Sequence, residues 1–279
     1  MPKFLKFDAI NAKILIMKKY GATILLVGIL FAAKAQTIEI GLRGGLDSFW
    51  LLNSNASPAG NSESKTISIS YNGGLHLAFD ITDNIGLETN LMYASLSQSY
   101  SGNFNKAGVL PDGGVYMSGQ SYTSKTTLTV TQIPIMMCFE TNSGSFVELG
   151  VDYDMINSAN YAGNFSTPSS SPSYSTANYF AKSNVAGVFG FGGKYSLNDY
   201  LFMLTDFRVT YGFTDIKGVD GLGQDYSNKA YYANYKPTTA INASINVGIF
   251  YLLPMTPTYK VGHKCKGAPQ VRGGTRHPK

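Results

Sequence analysis

A period-two alternation that begins at Ile38 and returns in segment after segment limits what this chain can become more than any other feature. In the first segment Ile38, Ile40, Leu42, Leu46, Trp50 and Leu52 fall on one parity, and Glu39, Gly41, Arg43, Gly45 and Asp47 on the other. In the second, Ile67, Ile69, Tyr71, Leu75, Leu77, Phe79 and Ile81 alternate with Ser68, Ser70, Asn72, His76 and Asp80. Successive side chains of a strand point to opposite faces, so each segment reads as a strand with one oily and one polar side. No amphipathic helix of useful length follows Gln36, and the parity is expected to run through every strand without a slip.

On this pattern strands fall near 38–53, 66–81, 85–101, 123–140, 145–162, 179–195, 200–215 and 239–253. Their connections alternate in length. Tight turns at 82–84, 141–144 and 196–199 are interleaved with long loops at 54–65, 102–122, 163–178 and 216–238. Eight strands with this rhythm predict an all-β fold, an eight-stranded antiparallel up-and-down transmembrane β-barrel. In such barrels the short turns and both chain ends face the periplasm.

A soluble barrel can show the same alternation with its apolar face turned inward, so the choice rests on where charge sits. The polar parity carries Glu39, Arg43, Asp47, Asp80, Glu88, Glu148, Asp152, Asp154, Lys194, Asp206 and Arg208. That is too many charges for one side of a soluble barrel that also holds a ligand pocket. The other parity is nearly free of charge, as in Val147, Leu149, Val151, Tyr153 and Met155, or Ile241, Ile245, Val247, Ile249 and Tyr251. A closed barrel satisfies its own backbone hydrogen bonds, so this face can meet lipid. Trp50, Tyr93, Tyr153 and Tyr211 then form an upper aromatic girdle, and Phe79, Phe139, Tyr195, Tyr200 and Tyr251 a lower one. Thirty Gly and 13% aromatic residues against 14% charged residues agree with tight strands and a greasy exterior.

The net charge of +5 hides an uneven distribution. Residues 36–252 hold ten Lys/Arg against sixteen Asp/Glu, whereas 253–279 hold six Lys/Arg and no acid. The body is therefore acidic, which argues against a nucleic-acid partner. Lys18 and Lys19 precede the apolar run 22–33, which ends in Ala33-Lys34-Ala35 before Gln36, the layout of a secretory signal. The expected organisation is an N-terminal extension and signal peptide over 1–35, cleaved after Ala35, a barrel over 36–253 and a basic periplasmic tail over 254–279. Residues 1–16 read as a start-site extension. Two cysteines, Cys138 and Cys265, exclude a disulfide framework.

Several short motifs resemble one family. Gln132-Ile133-Pro134-Ile135-Met136-Met137-Cys138-Phe139-Glu140 is similar to a strand of the outer-membrane β-barrel domain family that includes PorT-like proteins. Ala33-Lys34-Ala35-Gln36, Gly41-Leu42-Arg43-Gly44-Gly45 and Phe146-Val147-Glu148-Leu149-Gly150 agree with it. The resemblance implies fold and an outer-membrane location, with support of a secretion apparatus among the roles. It departs at Cys138, where the family often has a basic residue, and in continuing past the last strand.

An eight-stranded barrel is just wide enough for side chains to fill it, so the lumen charges are expected to pair with one another. Arg43, Lys194 and Arg208 face at least eight carboxylates, and the excess negative charge leaves a narrow, weakly cation-preferring pore as the alternative to a plugged lumen. Asp152, Asp154 and Glu148 also have the spacing of an acid–base pair or a Ca²⁺ site, but pairing with the three bases is the simpler expectation. A lipid-modifying enzyme needs a base near the outer rim. Of the histidines, His76 lies toward the periplasmic end and His263 and His277 lie in the tail. His263-x-Cys265 offers two ligands, which do not make a metal site. No catalysis, cofactor or metal is therefore expected. Tyr100, Tyr116, Tyr122, Tyr161, Tyr174, Tyr179, Tyr226, Tyr231, Tyr232 and Tyr235 read as loop residues that pack at the headgroup boundary or bind a surface ligand or secretion partner. The other expected partners are outer-membrane lipid, lipopolysaccharide and the barrel-insertion machinery.

Overall fold

The computed structural model describes residues 37–55, 62–109, 113, 115–166, 169–229 and 232–254. The expected signal segment, the tail beyond Pro254 and Tyr231 lie outside the described residues. Eight long strands form the wall: β1 (Thr37–Asn53), β2 (Ile69–Asp80), β3 (Ile85–Asn103), β4 (Ser121–Glu140), β5 (Ser145–Ser166), β6 (Ser183–Ser196), β7 (Leu201–Gly212) and β8 (Thr238–Pro254). Each pairs antiparallel with its neighbour in sequence, and β1 pairs with β8 from Thr37↔Pro254 to Asn53↔Thr238, which closes the ring.

The register fixes the barrel's shape. Following paired residues round the ring leads from Glu39 through Ala78, Glu88, Met136, Gly150, Val188, Thr210 and Asn242 to Phe49, ten residues further along β1. A stagger of this size over eight strands tilts them by roughly 40° and leaves a bore that side chains can fill. Pro134, which has no N–H to donate, sits where the β3–β4 ladder skips from Thr89↔Ile135 to Met92↔Gln132. At the tight turn after β4, Gly144 takes a φ of +84°, and a Cβ there would lie 2.6 Å from the Lys194 carbonyl oxygen.

The faces divide as the alternation predicts. Leu42 and Ile245 are 66% and 65% exposed, whereas Arg43 is 3% and Glu148 0% exposed. The apolar parity therefore looks outward and the charged parity into the bore. Eight of the nine girdle residues stand on the outward parity, among them Tyr93, Tyr153, Tyr195, Tyr211 and Tyr251 with about half of their surface exposed, whereas Tyr200 lies in the turn just before β7, also about half exposed.

The parity slips once, contrary to the sequence reading. On β5 Ile156 pairs with Val130 and Ser158 with Thr129, so Asn157 is an extra residue, a β-bulge. Below it Asp152, Asp154 and Ile156 face inward, and above it Ala159, Tyr161 and Phe165 do. Strand limits differ as well. The segment before β2 breaks at Ile67 and Ser68, and its upper part, Ser62–Thr66, is a separate strand paired with the top of β3. Strands β3, β4 and β5 run beyond their expected ends and stand above the rest of the rim. Above Tyr93 and Tyr153 the outward parity of these strands is mostly small and polar, in paired rows Ser95–Thr129–Ser158, Ser97–Thr127–Asn160, Ser99–Lys125–Ala162 and Ser101–Thr123–Asn164, with Ser97 itself buried.

Deleting Asn157 should turn the upper half of β5 over, expelling Tyr161 and Phe165 from the bore. Proteolysis of the region between β7 and β8 should then accelerate several-fold while the lower barrel stays resistant. Unchanged proteolysis would show that the bulge does not set the upper parity.

Candidate functional site

The bore is filled in layers, and each layer draws on residues the register brings to one height. At the periplasmic end Cys138, Phe146, Phe202, Leu204, Phe250 and Leu252 pack together. Above them lies an ionic layer. Arg43 Nη1 is 2.7 Å from Glu88 Oε1, and Arg43 also pairs with Asp206. Arg208 Nη2 donates to Glu148 Oε2 at 2.9 Å, and the same guanidinium reaches Glu88. Lys194 Nζ bridges Glu39 at 2.8 Å and Glu140 at 2.9 Å. His76 stands between Glu39 Oε2, at 3.3 Å, and Asn90 Oδ1, at 3.0 Å. Gly190 makes the cluster possible, because a Cβ there would lie 2.4 Å from Glu148 Oε1.

The next layer departs from the expected ion pairing. Asp47 accepts from the amides of Asn72 and Asn242, each at 2.8 Å, and Asp154 from Gln132 at 3.1 Å and Asn184 at 2.9 Å. Neither Asp47, Asp152 nor Asp154 has a basic group within ion-pair distance among the described residues. Asp80 is held by the Thr37 hydroxyl rather than by a base. The sequence identified the carboxylates, but Asn72, Gln132, Asn184 and Asn242 were overlooked because amides on a polar parity carry no distinguishing signal. Glu148, Asp152 and Asp154 do not gather as ligands, and among the described residues no three of His, Cys, Asp and Glu form a metal-binding group.

Above the amides an apolar layer closes the bore. Phe49, Leu51, Leu96, Leu128, Val130 and Ile156 from the wall pack against Phe180, Ile216 and Val219 from the loops. The connection between β7 and β8 therefore folds into the barrel mouth, which its composition did not reveal. Its turn is held by Asp220, whose carboxylate accepts from the backbone N–H groups of Leu222 and Gln224 at 2.8 Å and from the Tyr232 hydroxyl. Glu63 from the Ser62–Thr66 strand accepts from the Gly221 N–H at 3.1 Å and from the Tyr122 hydroxyl at 3.3 Å. Tyr161 donates to the Gly221 carbonyl at 3.2 Å, and Ser124 also donates to it.

The tyrosines read as headgroup or ligand contacts are largely the packing of this plug. Tyr100, Tyr116, Tyr122, Tyr161, Tyr226 and Tyr232 are buried, Tyr174 and Tyr179 half-buried, and Tyr235 exposed. Phe104, Tyr116, Tyr122, Phe165 and Leu222 form a second cluster at the top. The bulge at Asn157 and the inward turn of the 213–237 connection account for the difference.

This is an antiparallel ring with a lipid-facing exterior, a charged interior and short turns at one end. Residues 34–218 match the outer membrane protein beta-barrel domain family. The chain belongs to that family. It is an outer-membrane β-barrel protein, and the narrower PorT-like resemblance is not part of that match. No curated protein matches the sequence. Among solved structures it is similar to Ail, the attachment invasion locus protein of Yersinia pestis, at 9% identity over 77% of this chain and 98% of that one, with a TM-score of 0.33. It is also similar to OprG from Pseudomonas aeruginosa, at 16% identity over 79% and 97%, with a TM-score of 0.31.

Two predictions follow from these layers. Replacing Arg208 by Met leaves Glu148 with only a 3.8 Å approach from Arg43, takes one of its two guanidinium partners from Glu88, and should destabilise the barrel by about 3–5 kcal/mol, read by urea unfolding in detergent. Adding Glu148→Gln should restore part of that loss, and no recovery would argue against the pairing. The second concerns pH at the plug, outside the membrane-spanning strands. Burial, reinforced by the like charge of Asp220, pushes the Glu63 carboxyl up to about 8, against hydrogen bonds from Gly221 and Tyr122 and the charge of Lys65. Burial likewise raises Asp220 to about 6, against the hydrogen bonds of Tyr232, Gln224 and Leu222. Both values lie above those of the free groups, so the docked loop keeps protons that a released loop sheds. Docking is then strongest below the ordinary carboxylate range and weakens as pH rises through about 6 and 8. Hydrogen exchange at Leu222 and Gln224, corrected for intrinsic rate, should be less protected at pH 8.5 than at pH 5, and Glu63→Gln should flatten the upper part of that change. Equal protection at both pH values would contradict this account.

Proposed function

We propose that this protein is a non-conducting, non-enzymatic barrel of the outer membrane that serves the cell surface through its extracellular wall. The observation that carries this reading is the apolar layer in which Phe180, Ile216 and Val219 fill the bore against Phe49, Leu51, Leu128 and Ile156. Side chains of this apolar cluster offer an ion no oxygen ligands. Two further features support it. Among the described residues the histidine at 76 is buried in the ionic layer, far from the rim where a lipid substrate would lie. Above the Tyr93 and Tyr153 level the outer face of β3, β4 and β5 presents Ser, Thr and Asn with Lys125, which suits contact with the saccharide and phosphate groups of lipopolysaccharide. Adhesion, barrier or support of a secretion apparatus are the roles consistent with such a wall. Export with cleavage after Ala35 belongs to the same reading, and N-terminal sequencing of the mature protein is its check.

The unpaired Asp47, Asp152 and Asp154 favour a second reading, a narrow cation-preferring pore that opens when the plug leaves. Planar-bilayer recordings separate the two. The full chain should show no steady conductance, and a variant lacking residues 218–229 should show small cation-selective steps. Steady cation-selective conductance from the full chain would replace the first reading by the second.

A further inference from the structure

The bases of the wall are not scattered. Residues 36–252 hold ten Lys/Arg; Arg43, Lys194 and Arg208 are buried in the bore, and the other seven all lie at the extracellular end. Three of those are brought together by the backbone. The stretches 179–182, 215–218 and 235–238 run beside one another over the ends of β6, β7 and β8. The Ala181 N–H donates to the Ile216 carbonyl and the Gly218 N–H to the Tyr179 carbonyl, each at 2.9 Å, and the Ile216 N–H donates to the Thr238 carbonyl at 3.1 Å. Asp215 ties the three together, accepting from the N–H groups of Lys217 and Thr238 at 2.9 Å and from the Tyr235 hydroxyl. Each stretch contributes one exposed lysine, Lys182, Lys217 and Lys236. Asp215 is the one acid in these stretches, and its carboxylate is spent on the backbone. Among the described residues no carboxylate comes within ion-pair distance of the three lysines.

Lys217 is also held in an unusual backbone. Its φ of +58° is the one left-handed value outside glycine among the described residues, a conformation that L side chains adopt at a cost and that is common at ligand sites. The chain turns there so that Ile216 and Val219 enter the bore while Lys217 stays exposed. Height decides what the lysines can meet. Trp50 and Tyr211 of the upper girdle both pair with Ile241, and Thr238 stands three residues further up β8, about 8 Å along the axis at a tilt of roughly 40°. The headgroup layer on each side of the hydrocarbon is about 5–8 Å thick, so the three ammonium groups are at its depth. β6 begins at Ser183 and β7 ends at Gly212, so the wall does not rise past them. Basic clusters at that depth attract anionic headgroups, and lysine binds phosphate as a point charge. We propose that Lys182, Lys217 and Lys236 bind the phosphates of the lipid A headgroup of outer-leaflet lipopolysaccharide. The shorter wall then has a lipid site of its own, besides the hydroxyl-rich face of β3, β4 and β5. The site rests on the surface reading above for its orientation alone; steady conductance from the full chain would overturn the closed bore without touching it.

The test is native mass spectrometry of the full chain, folded in detergent and incubated with lipid A that carries both of its phosphates. The unaltered protein should retain several-fold more lipid A than the Lys182→Gln/Lys217→Gln/Lys236→Gln variant, and the difference should vanish with lipid A stripped of phosphate. Each single substitution should lower retention about two-fold, whereas Lys106→Gln, which removes the same charge from the 102–122 loop, should leave it unchanged. A gel mobility that is faster unboiled than boiled shows that each variant is still a closed barrel. Equal retention by the unaltered protein and the triple variant overturns the proposal. So does a loss in Lys106→Gln as large as that of each single site variant, which would reduce the effect to net charge. Binding of inorganic pyrophosphate as tight as that of lipid A, and lost in the triple variant, would make a soluble polyanion the occupant and overturn the lipid assignment.

Discussion

Everything else in this structure depends on the β1–β8 ladder. Hydrocarbon offers no hydrogen bonds, so a sheet can enter it only if its first and last strands satisfy each other. Here they do so along the whole of both strands, from Thr37↔Pro254 to Asn53↔Thr238. Closure at a ten-residue stagger fixes the tilt, the tilt fixes the bore, and the bore is too narrow to stay empty. The ionic layer, the amides, the apolar stopper and the tyrosine-rich plug are successive answers to the same question of how to fill a tube of set width with side chains of one parity.

The electrostatics follow from that constraint. Taking charges out of water is costly, and the structure meets the cost in two ways at neighbouring heights. Where guanidinium groups are at hand, Glu88, Glu148 and Asp206 gather round Arg43 and Arg208. One layer higher the bases are absent, and Asp47 and Asp154 are held by carboxamides instead. Carboxylates there are held by protein dipoles rather than by opposite charges.

The ring and its inside-out polarity were legible in the sequence because each strand repeats the same two-residue rhythm. Leu42 beside Arg43, or Leu149 beside Glu148, is enough to say which side of the wall each occupies. What was not legible depends on non-local events. A single extra residue, Asn157, reverses the parity of everything above it on β5, and nothing in Asn157 itself announces this. The inward fold of the 213–237 connection depends on Glu63, more than a hundred residues earlier, meeting the Gly221 amide. Ser, Gly and Tyr in a row describe a solvent loop and a packed plug equally well.

The unequal height of the wall gives the barrel a front and a back. With β3, β4 and β5 longer than β6 and β7, lateral neighbours above the bilayer meet a hydrophilic palisade from one direction and a shorter wall from the other. A rotation about the barrel axis that would be invisible within the hydrocarbon therefore changes what the molecule presents to its surroundings. Its azimuth becomes a physical variable of the membrane in which it sits.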